Sequence, residues 1–180
     1  MKQTITRKGS FDSMHRVMNE RMKCFNIHGH TYLYELEFEF SNIEKIGYAI
    51  DFKEIKRIAC QFIDDVFDHG AILNPVDFEI IKIAKKLNSK VYIMSLNDKE
   101  YCNPSVENIS KELFLSIQKL MDDENLKINK IILYETPNCY CTTDNGSITE
   151  KERKNFLEIN SDFISKYKKE KGKIEYDDTK

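Results

Sequence analysis

The chain has 180 residues, of which 41% are hydrophobic and 32% are charged. This length and mixture are typical of a single globular domain with its own core, and they exclude a disordered or membrane-spanning chain. The formal net charge of -2 and a pI of about 6.1 argue against a broad positive surface, so we expect binding to neither nucleic acid nor membranes.

Five cysteines occur in the sequence without a C-x-x-C pair. Their odd number and irregular spacing favour reduced thiols over a disulfide framework. The N-terminal segment is polar, and no window approaches the run of about 18 apolar residues expected of a membrane span. We therefore predict a cytoplasmic protein.

The first part of the chain predicts two strands. Residues 3–11 are rich in β-branched side chains, and Thr31–Phe40 alternates between apolar and polar positions. A period of two is typical of a strand with one face on a core. We expect the two segments to form a hairpin. One face of the second strand is predicted to carry Tyr32, Tyr34, Leu36, Phe38 and Phe40.

Two later segments have a helical period. Apolar residues recur every three or four positions in Phe52–Phe67 and again in Val106–Met121, where Ser105 is placed to cap the N-terminus. Between these helices, residues 80–93 predict a short helical turn and a short strand at Val91–Met94. We expect the two long helices to pack on the sheet.

The last part predicts two further strands, Ile128–Thr136 and Asn138–Thr143, and then a helical tail over residues 147–169. The order strand, strand, helix, helix, strand, strand predicts an α+β fold, with a four-stranded antiparallel sheet and two helices on one face. We expect residues 1–146 to form the main domain and residues 147–180 a C-terminal helical extension.

Three of the four histidines, His15, His28 and His30, lie near the two ends of the predicted hairpin loop. His28 and His30 point to the same side of a strand, and His15 can meet them across the hairpin. Three neutral imidazoles suit zinc and leave a fourth position for water or substrate, as in catalytic sites. Two alternatives stay open: Cys24 is a fourth ligand of a structural site, or the histidines are unrelated surface residues.

Other residues give weaker signals. Asp68 precedes His69 directly, and an adjacent carboxylate can orient an imidazole for proton transfer, although a solvated helix end gives the same pattern. Glu135 ends an apolar strand, where a carboxylate either has a partner or emerges into solvent. Glu107 lies in the first turn of the second helix, where a negative charge also favours the helix dipole.

Several short blocks follow one another in the sequence. They are Phe11-x-x-x-His15, Cys24-x-x-x-His28-Gly29-His30, Gly47-x-x-Ile50-Asp51-Phe52, Asp68-His69, Leu73-Asn74, Pro104-Ser105-x-Glu107-Asn108 and Glu135-Thr136. Taken in order, these blocks resemble one known family, that of the 6-pyruvoyl-tetrahydropterin and 6-carboxytetrahydropterin synthases, over about residues 4–143. The resemblance implies a tunnelling fold, in which subunits join their four-stranded sheets into a barrel. It also implies a homo-oligomer, with a hexamer expected, and active sites at subunit interfaces.

The same resemblance implies roles for single residues and a substrate, 7,8-dihydroneopterin triphosphate. Cys24 corresponds to the catalytic thiol, and Asp68 and His69 correspond to its proton relay. The zinc ligands correspond to His15, His28 and His30. The pterin ring is anchored by Glu135, in a pocket that is lined by Ser105, Val106 and Glu107.

The gap of three residues between Cys24 and His28 looks like that of the bacterial 6-carboxytetrahydropterin synthases, which serve queuosine and other 7-deazaguanine pathways and release acetaldehyde. The pyruvoyl-forming enzymes of biopterin synthesis are the second interpretation, and a non-catalytic, zinc-stabilised binding module is the third. The sequence departs from the family pattern at Ser105, which replaces threonine, and at Tyr48-Ala49, which replace methionine-valine. Ser105 keeps a hydroxyl, so we expect little change there. The region between Asn74 and Asn103 is longer than in smaller bacterial members, and the chain continues some thirty residues past the last motif, which concerns loop contacts and substrate choice.

Overall fold

The structure is a computed structural model that describes residues 3–20 and 22–171. It consists of one mixed sheet and several helices. The strands are β1 (Thr4–His15), β2 (His28–Phe40), β3 (Gly70–Leu73), β4 (Val91–Ile93), β5 (Leu126–Thr136) and β6 (Cys139–Asp144). The helices are α1 (Phe52–Ile55), α2 (Gln61–Phe67), α3 (Phe78–Lys86), α4 (Val106–Met121) and α5 (Glu150–Lys171), and a π-helical turn at Lys56–Cys60 joins α1 to α2.

The sheet has six strands in the order β4-β3-β1-β2-β5-β6. β1, β2, β5 and β6 are antiparallel neighbours, whereas β3 and β4 extend the β1 edge in parallel. The α+β class is confirmed, but the predicted four-stranded sheet is wrong. Strands of three or four residues offer too few positions for a period to show, and a buried parallel strand forms a continuous apolar run.

The alternation predicted for β2 is confirmed. Its core-facing side chains are at most 3% exposed from Tyr32 to Phe38, while Leu33 on the other face is 44% exposed. Because β2 lies between β1 and β5, its apolar face meets the helices at the centre of the sheet. The helical layer therefore packs on the core-facing side of β2.

The two long predicted helices are also confirmed. The segment from α1 through α2 contacts β1, and α4 contacts β5 and β6. The Ser105 side chain accepts a hydrogen bond from the backbone N–H of Asn108 at 3.4 Å and so caps α4. The start of α4 is thus fixed close to the end of the sheet where β1 stops.

The short helix α3 lies on the other face. Its Ile80 and Ala84 line a cavity together with Met14 and Ala71, which are ladder partners in β1 and β3. Met14 alternates with the buried His15, so its side chain leaves the opposite side of the sheet. The expectation of helices on one face therefore holds for the long helices and not for α3.

The predicted helical tail forms α5, which packs on the same core as the sheet. Phe156 is fully buried and Ile164 is 1% exposed, and the Tyr167 hydroxyl donates to Asp65 at 2.7 Å. Residues 172–180 lie outside the described part, and the domain boundary at residue 146 stays a prediction. Among the described residues, none of the helices has the length and apolar content needed to span a bilayer.

Candidate active site

The β1–β2 ladder brings three histidines onto one face of the sheet. His15 is paired with His28, and Ser13 is paired with His30. Directly opposed residues share a face, so all three imidazoles project toward the helical layer. Their ring centroids are 4.5 to 5.2 Å apart, and one ligand atom of each lies within 4.8 Å of the others. The group can hold a metal ion, which argues against unrelated surface histidines.

Backbone carbonyls orient two of these rings. His15 Nδ1 lies 2.6 Å from the carbonyl oxygen of Pro104, and His28 Nδ1 lies 2.7 Å from that of Asn26. A ring nitrogen that faces a carbonyl carries the proton and donates, so Nε2 keeps its lone pair. The Nε2 atoms of His15 and His30 are buried and have no hydrogen-bond partner in the described part of the chain. Such unpartnered nitrogens fit a metal.

Burial favours the neutral form of two of these imidazoles, those of His15 and His30. It lowers the pKa of His15 to about 4, and the adjacent His28 and His30 add to this effect. Burial also lowers the pKa of His30. A metal ligand must be unprotonated, and a set of three neutral imidazole nitrogens suits zinc. The donor set is therefore ready for a metal at neutral pH.

Cys24 lies close to the histidines but is not one of their group. It is exposed, and it sits in a 3-10 turn at Lys23–Phe25. Within the described residues, the cluster of possible ligand atoms contains the three imidazoles and no sulfur. Burial raises the pKa of Tyr32, whose ring packs edge-on against His15, and negative charge on Glu135 and Cys24 adds to the effect. The geometry thus favours a nearby free thiol over a fourth ligand.

Glu135 also reaches the histidine group. One of its carboxylate oxygens lies 3.6 Å from His15 Nε2, and its side chain is 25% exposed. The β5–β6 register shifts between Tyr134 and Thr136, so Glu135 has no ladder partner in β6. Such irregularities re-aim a side chain. Here the carboxylate faces the group and not bulk solvent.

The start of α4 adjoins His15 through the preceding residue, Pro104. Ser105 and Val106 are half-buried, and Glu107 is exposed. The Pro104 carbonyl, which holds His15, directly precedes this turn. The roles of the Pro104 and Asn26 carbonyls could not be predicted from the sequence, because a backbone carbonyl is present in every residue type.

Asp68 and His69 form a hydrogen-bonded pair away from the three histidines. Asp68 accepts from the backbone N–H of Asp12 at 2.7 Å, and its other oxygen lies 2.5 Å from His69 Nδ1. This bond raises the pKa of His69, whose side chain is 79% exposed. His69 lines an open cleft together with Met14, Thr31 and His30. Its ring is not among the clustered ligand atoms of the three histidines.

Fold and site together define an α+β protein with a three-imidazole, metal-type centre at one end of its sheet. Residues 4–146 match the family model described as 6-pyruvoyl tetrahydropterin synthase. The chain belongs to this family of pterin-processing enzymes.

Curated relatives carry a narrower name, 6-carboxy-5,6,7,8-tetrahydropterin synthase. The relative from Rickettsia typhi is 39% identical over 137 residues, which cover 75% of this chain and 95% of the relative. The one from Haemophilus influenzae is 32% identical over 143 residues, covering 76% and 95%. The solved structure of Caenorhabditis elegans 6-pyruvoyl tetrahydropterin synthase has a TM-score of 0.56 and 20% identity over 79% of this chain and 95% of that chain, a likeness of fold alone.

Proposed function

We propose that the protein converts 7,8-dihydroneopterin triphosphate and one water to 6-carboxy-5,6,7,8-tetrahydropterin, with release of acetaldehyde and triphosphate, in queuosine and 7-deazaguanine biosynthesis. The observation that carries this proposal is the group of three imidazoles with Cys24 and Glu135 beside it. The product name of the bacterial relatives and the short gap between Cys24 and His28 support the carboxy product over the pyruvoyl product.

The proposed cofactor is zinc, held by His15, His28 and His30. When bound there, zinc supplies a Lewis acid that acidifies the hydroxyl groups of the substrate side chain. The chain contributes the preset tautomers, because the Pro104 and Asn26 carbonyls keep Nδ1 protonated in two of the rings. A fixed tautomer presents the ligating nitrogen without a rearrangement.

The remaining residues bind the substrate and move its protons. The Glu135 carboxylate can accept two hydrogen bonds from the aminopyrimidine edge of the pterin, which fixes the ring beside the histidine group. Ser105, Val106 and Glu107 line the ring pocket at the start of α4. Cys24, as a thiolate, takes a proton from the side chain of the bound substrate. Its exposure on a short turn leaves the sulfur accessible to a ligand.

The proton relay requires a second subunit in this proposal. Among the described residues, His69 bonds to Asp68, and neither side chain is hydrogen-bonded to Cys24, so we assign the relay to the thiol of another chain. In a homo-oligomer, which we propose to be a hexamer, His69 of a neighbouring subunit reaches Cys24. The high exposure of the His69 ring supports this arrangement. The cytoplasmic location inferred from the reduced cysteines stays a prediction.

One assay tests the proposal. Zinc-loaded protein is incubated with 7,8-dihydroneopterin triphosphate, pterins are identified by mass spectrometry, and acetaldehyde is measured separately. We expect the carboxy product and acetaldehyde in equal amounts. A pyruvoyl product without acetaldehyde would instead establish the alternative activity, that of a 6-pyruvoyl tetrahydropterin synthase. The matching family model is named after this activity. Binding of the substrate without turnover would contradict both and leave a zinc-stabilised binding module.

A further inference from the structure

The chain between His15 and His28 carries Cys24, and its two halves are held differently. Near its start, the Asn103 amide accepts a hydrogen bond from Met18 N–H at 2.9 Å and donates to the Met18 carbonyl at 3.0 Å. Near its end, the 3-10 turn at Lys23–Phe25 is bound to the first half by a bond of 2.8 Å from Val17 N–H to the Cys24 carbonyl. The first half is thus anchored to the fold, whereas the turn with the thiol depends on fewer contacts.

Arg16, directly after the first histidine of the group, forms a bidentate ion pair with Asp77. The two bonds measure 2.5 Å from Nε to Oδ2 and 2.7 Å from Nη2 to Oδ1. The Asp77 carboxylate is 1% exposed, so it needs a cation beside it. Planar guanidinium fits this task because its fork matches both carboxylate oxygens.

The Asp77 side chain pairs with Arg16 and does not cap α3. It occupies the N-cap position of α3, where an aspartate commonly accepts a hydrogen bond from the helix N–H groups. Its side chain makes no such bond. Both carboxylate oxygens are directed at Arg16 instead, so the ion pair does more than start a helix.

The guanidinium of Arg16 also touches the turn that holds the thiol. Its Cζ lies 5.2 Å from the centroid of the Phe25 ring, a cation–π distance. Phe25 is 43% exposed and follows Cys24 directly. A buried carboxylate, a guanidinium and an aromatic ring therefore form a chain of contacts from the start of α3 to the residue beside the thiol.

We propose that Arg16, held by Asp77, is a positioning residue that keeps the Lys23–Phe25 turn, and with it Cys24, beside the three histidines. Arg16 acts through Phe25 and the thiol and does not contact the substrate. The kinetic consequence rests on the proposed function, but the ordering of the turn does not.

Hydrogen exchange tests the ordering of the turn without any substrate. In Arg16→Gln and Asp77→Asn, we expect the amides of Val17 and Asn26, which bond to carbonyls of the turn, to exchange several-fold faster than in the wild type. Amides of the central strands should be unchanged, and bound zinc should stay at the wild-type level. Arg57→Gln is the matched control, because it breaks another arginine–carboxylate pair, that with Glu54 on α1.

Kinetics with 7,8-dihydroneopterin triphosphate test whether the ordering of the Lys23–Phe25 turn affects turnover. We expect kcat of Arg16→Gln to fall by about a hundredfold with little change in KM, since a displacement of about 1 Å at a reacting group has an effect of this size. Arg16→Lys, which keeps the charge without the fork, should recover part of the loss. Phe25→Leu leaves the ion pair in place and should lower kcat as well.

Unchanged exchange in the turn, or full kcat in the Arg16 and Phe25 variants, would overturn the inference. A fall in kcat of the same size in Arg57→Gln would also overturn it, because the effect would then be general. Should Arg16→Gln fail to fold, Phe25→Leu decides by the same readouts. A wild-type protein without turnover would refute the proposed function, while the exchange measurement would still decide the role of Arg16.

Discussion

His15 and His28 are direct partners in the β1–β2 ladder, and their ring centroids lie 4.5 Å apart. The pairing follows from a register that is maintained over the whole hairpin, from Thr4 opposite Glu39 to this last pair. A slip by one residue would turn a whole strand over and separate the rings. The metal-type centre is therefore a property of sheet register.

His28→Ala should abolish zinc binding at micromolar metal. His28 supplies one of three imidazoles, and removing a ligand should cost more than the roughly 10–100-fold loss in affinity typical of an outer partner. Metal analysis after dialysis measures the bound zinc. His69→Ala, which lies outside the group of ligand atoms, should keep its zinc, and retention of zinc by His28→Ala would contradict the assigned ligand set.

Cys24→Ala should retain zinc and lose turnover of 7,8-dihydroneopterin triphosphate. The thiol lies outside the group of ligand atoms, so its removal leaves the three imidazoles in place. Zinc content and product formation are measured on the same sample. Cys139→Ser changes another exposed cysteine and should behave as the wild type. Loss of zinc from Cys24→Ala would show that the sulfur is a ligand and would restore the structural-site interpretation.

Glu135→Gln should weaken pterin binding. The amide keeps one acceptor oxygen but loses the charge, and a hydrogen bond to a charged group contributes about 1.5–3 kcal/mol, or roughly 10–100-fold in affinity. Titration of the Cys24→Ala background with substrate measures binding without turnover. Glu124→Gln, an exposed glutamate between α4 and β5, serves as the control. Equal affinity in the two variants would contradict the anchoring role.

Local sequence patterns predicted the long elements well, because each carries many positions of one period. The alternation from Tyr32 to Phe38 and the helical stripe of α4 are examples. The histidine group followed from the same reasoning, since strand parity alone places His28 and His30 on one side. The geometry of the site could therefore be predicted from the sequence where it depends on a hairpin.

The parallel edge of the sheet could not be predicted from local sequence patterns. Gly70–Leu73 pairs with the end of β1, and no local pattern specifies a parallel neighbour so far along the chain. The position of His69 depends on that pairing, because it directly precedes β3. For this reason the sequence indicated the Asp68-His69 pair but not the face on which it lies. The Arg16–Asp77 contact was hidden for the same reason, as it also joins distant segments.

Glu112 should make stability depend on pH. It is fully buried in α4, one oxygen accepts from the backbone N–H groups of Ser95 and Leu96, and the other meets the Tyr92 hydroxyl. Burial raises its pKa from 4.5 to about 7, with Tyr92 and Cys102 as the titratable neighbours.

Between pH 4.5 and about 7, Glu112 keeps its proton in the folded state and has lost it in the unfolded chain. The contribution of Glu112 to the free energy of unfolding therefore falls as pH rises from about 4.5 to 7, and is constant above. Glu112→Gln cannot titrate, so the difference between wild type and variant should change by on the order of 1–3 kcal/mol across this range. Urea denaturation at several pH values measures it, and a pH-independent difference would show that Glu112 is ionised throughout.

Mixing two inactive variants tests whether the active site is shared between subunits. Cys24→Ala lacks the thiol and His69→Ala lacks the relay imidazole, and within the described residues no hydrogen bond joins these two groups in one chain. If His69 serves the thiol of a neighbour, then a mixed oligomer contains some sites with both groups. Co-refolding the two variants should restore a substantial fraction of turnover, whereas each alone stays inactive. A mixture of Cys24→Ala with His28→Ala is the control, because the thiol and the metal ligand belong to the same chain's site in this proposal. Recovery in the first mixture that is no greater than in that control would place the relay within a single chain.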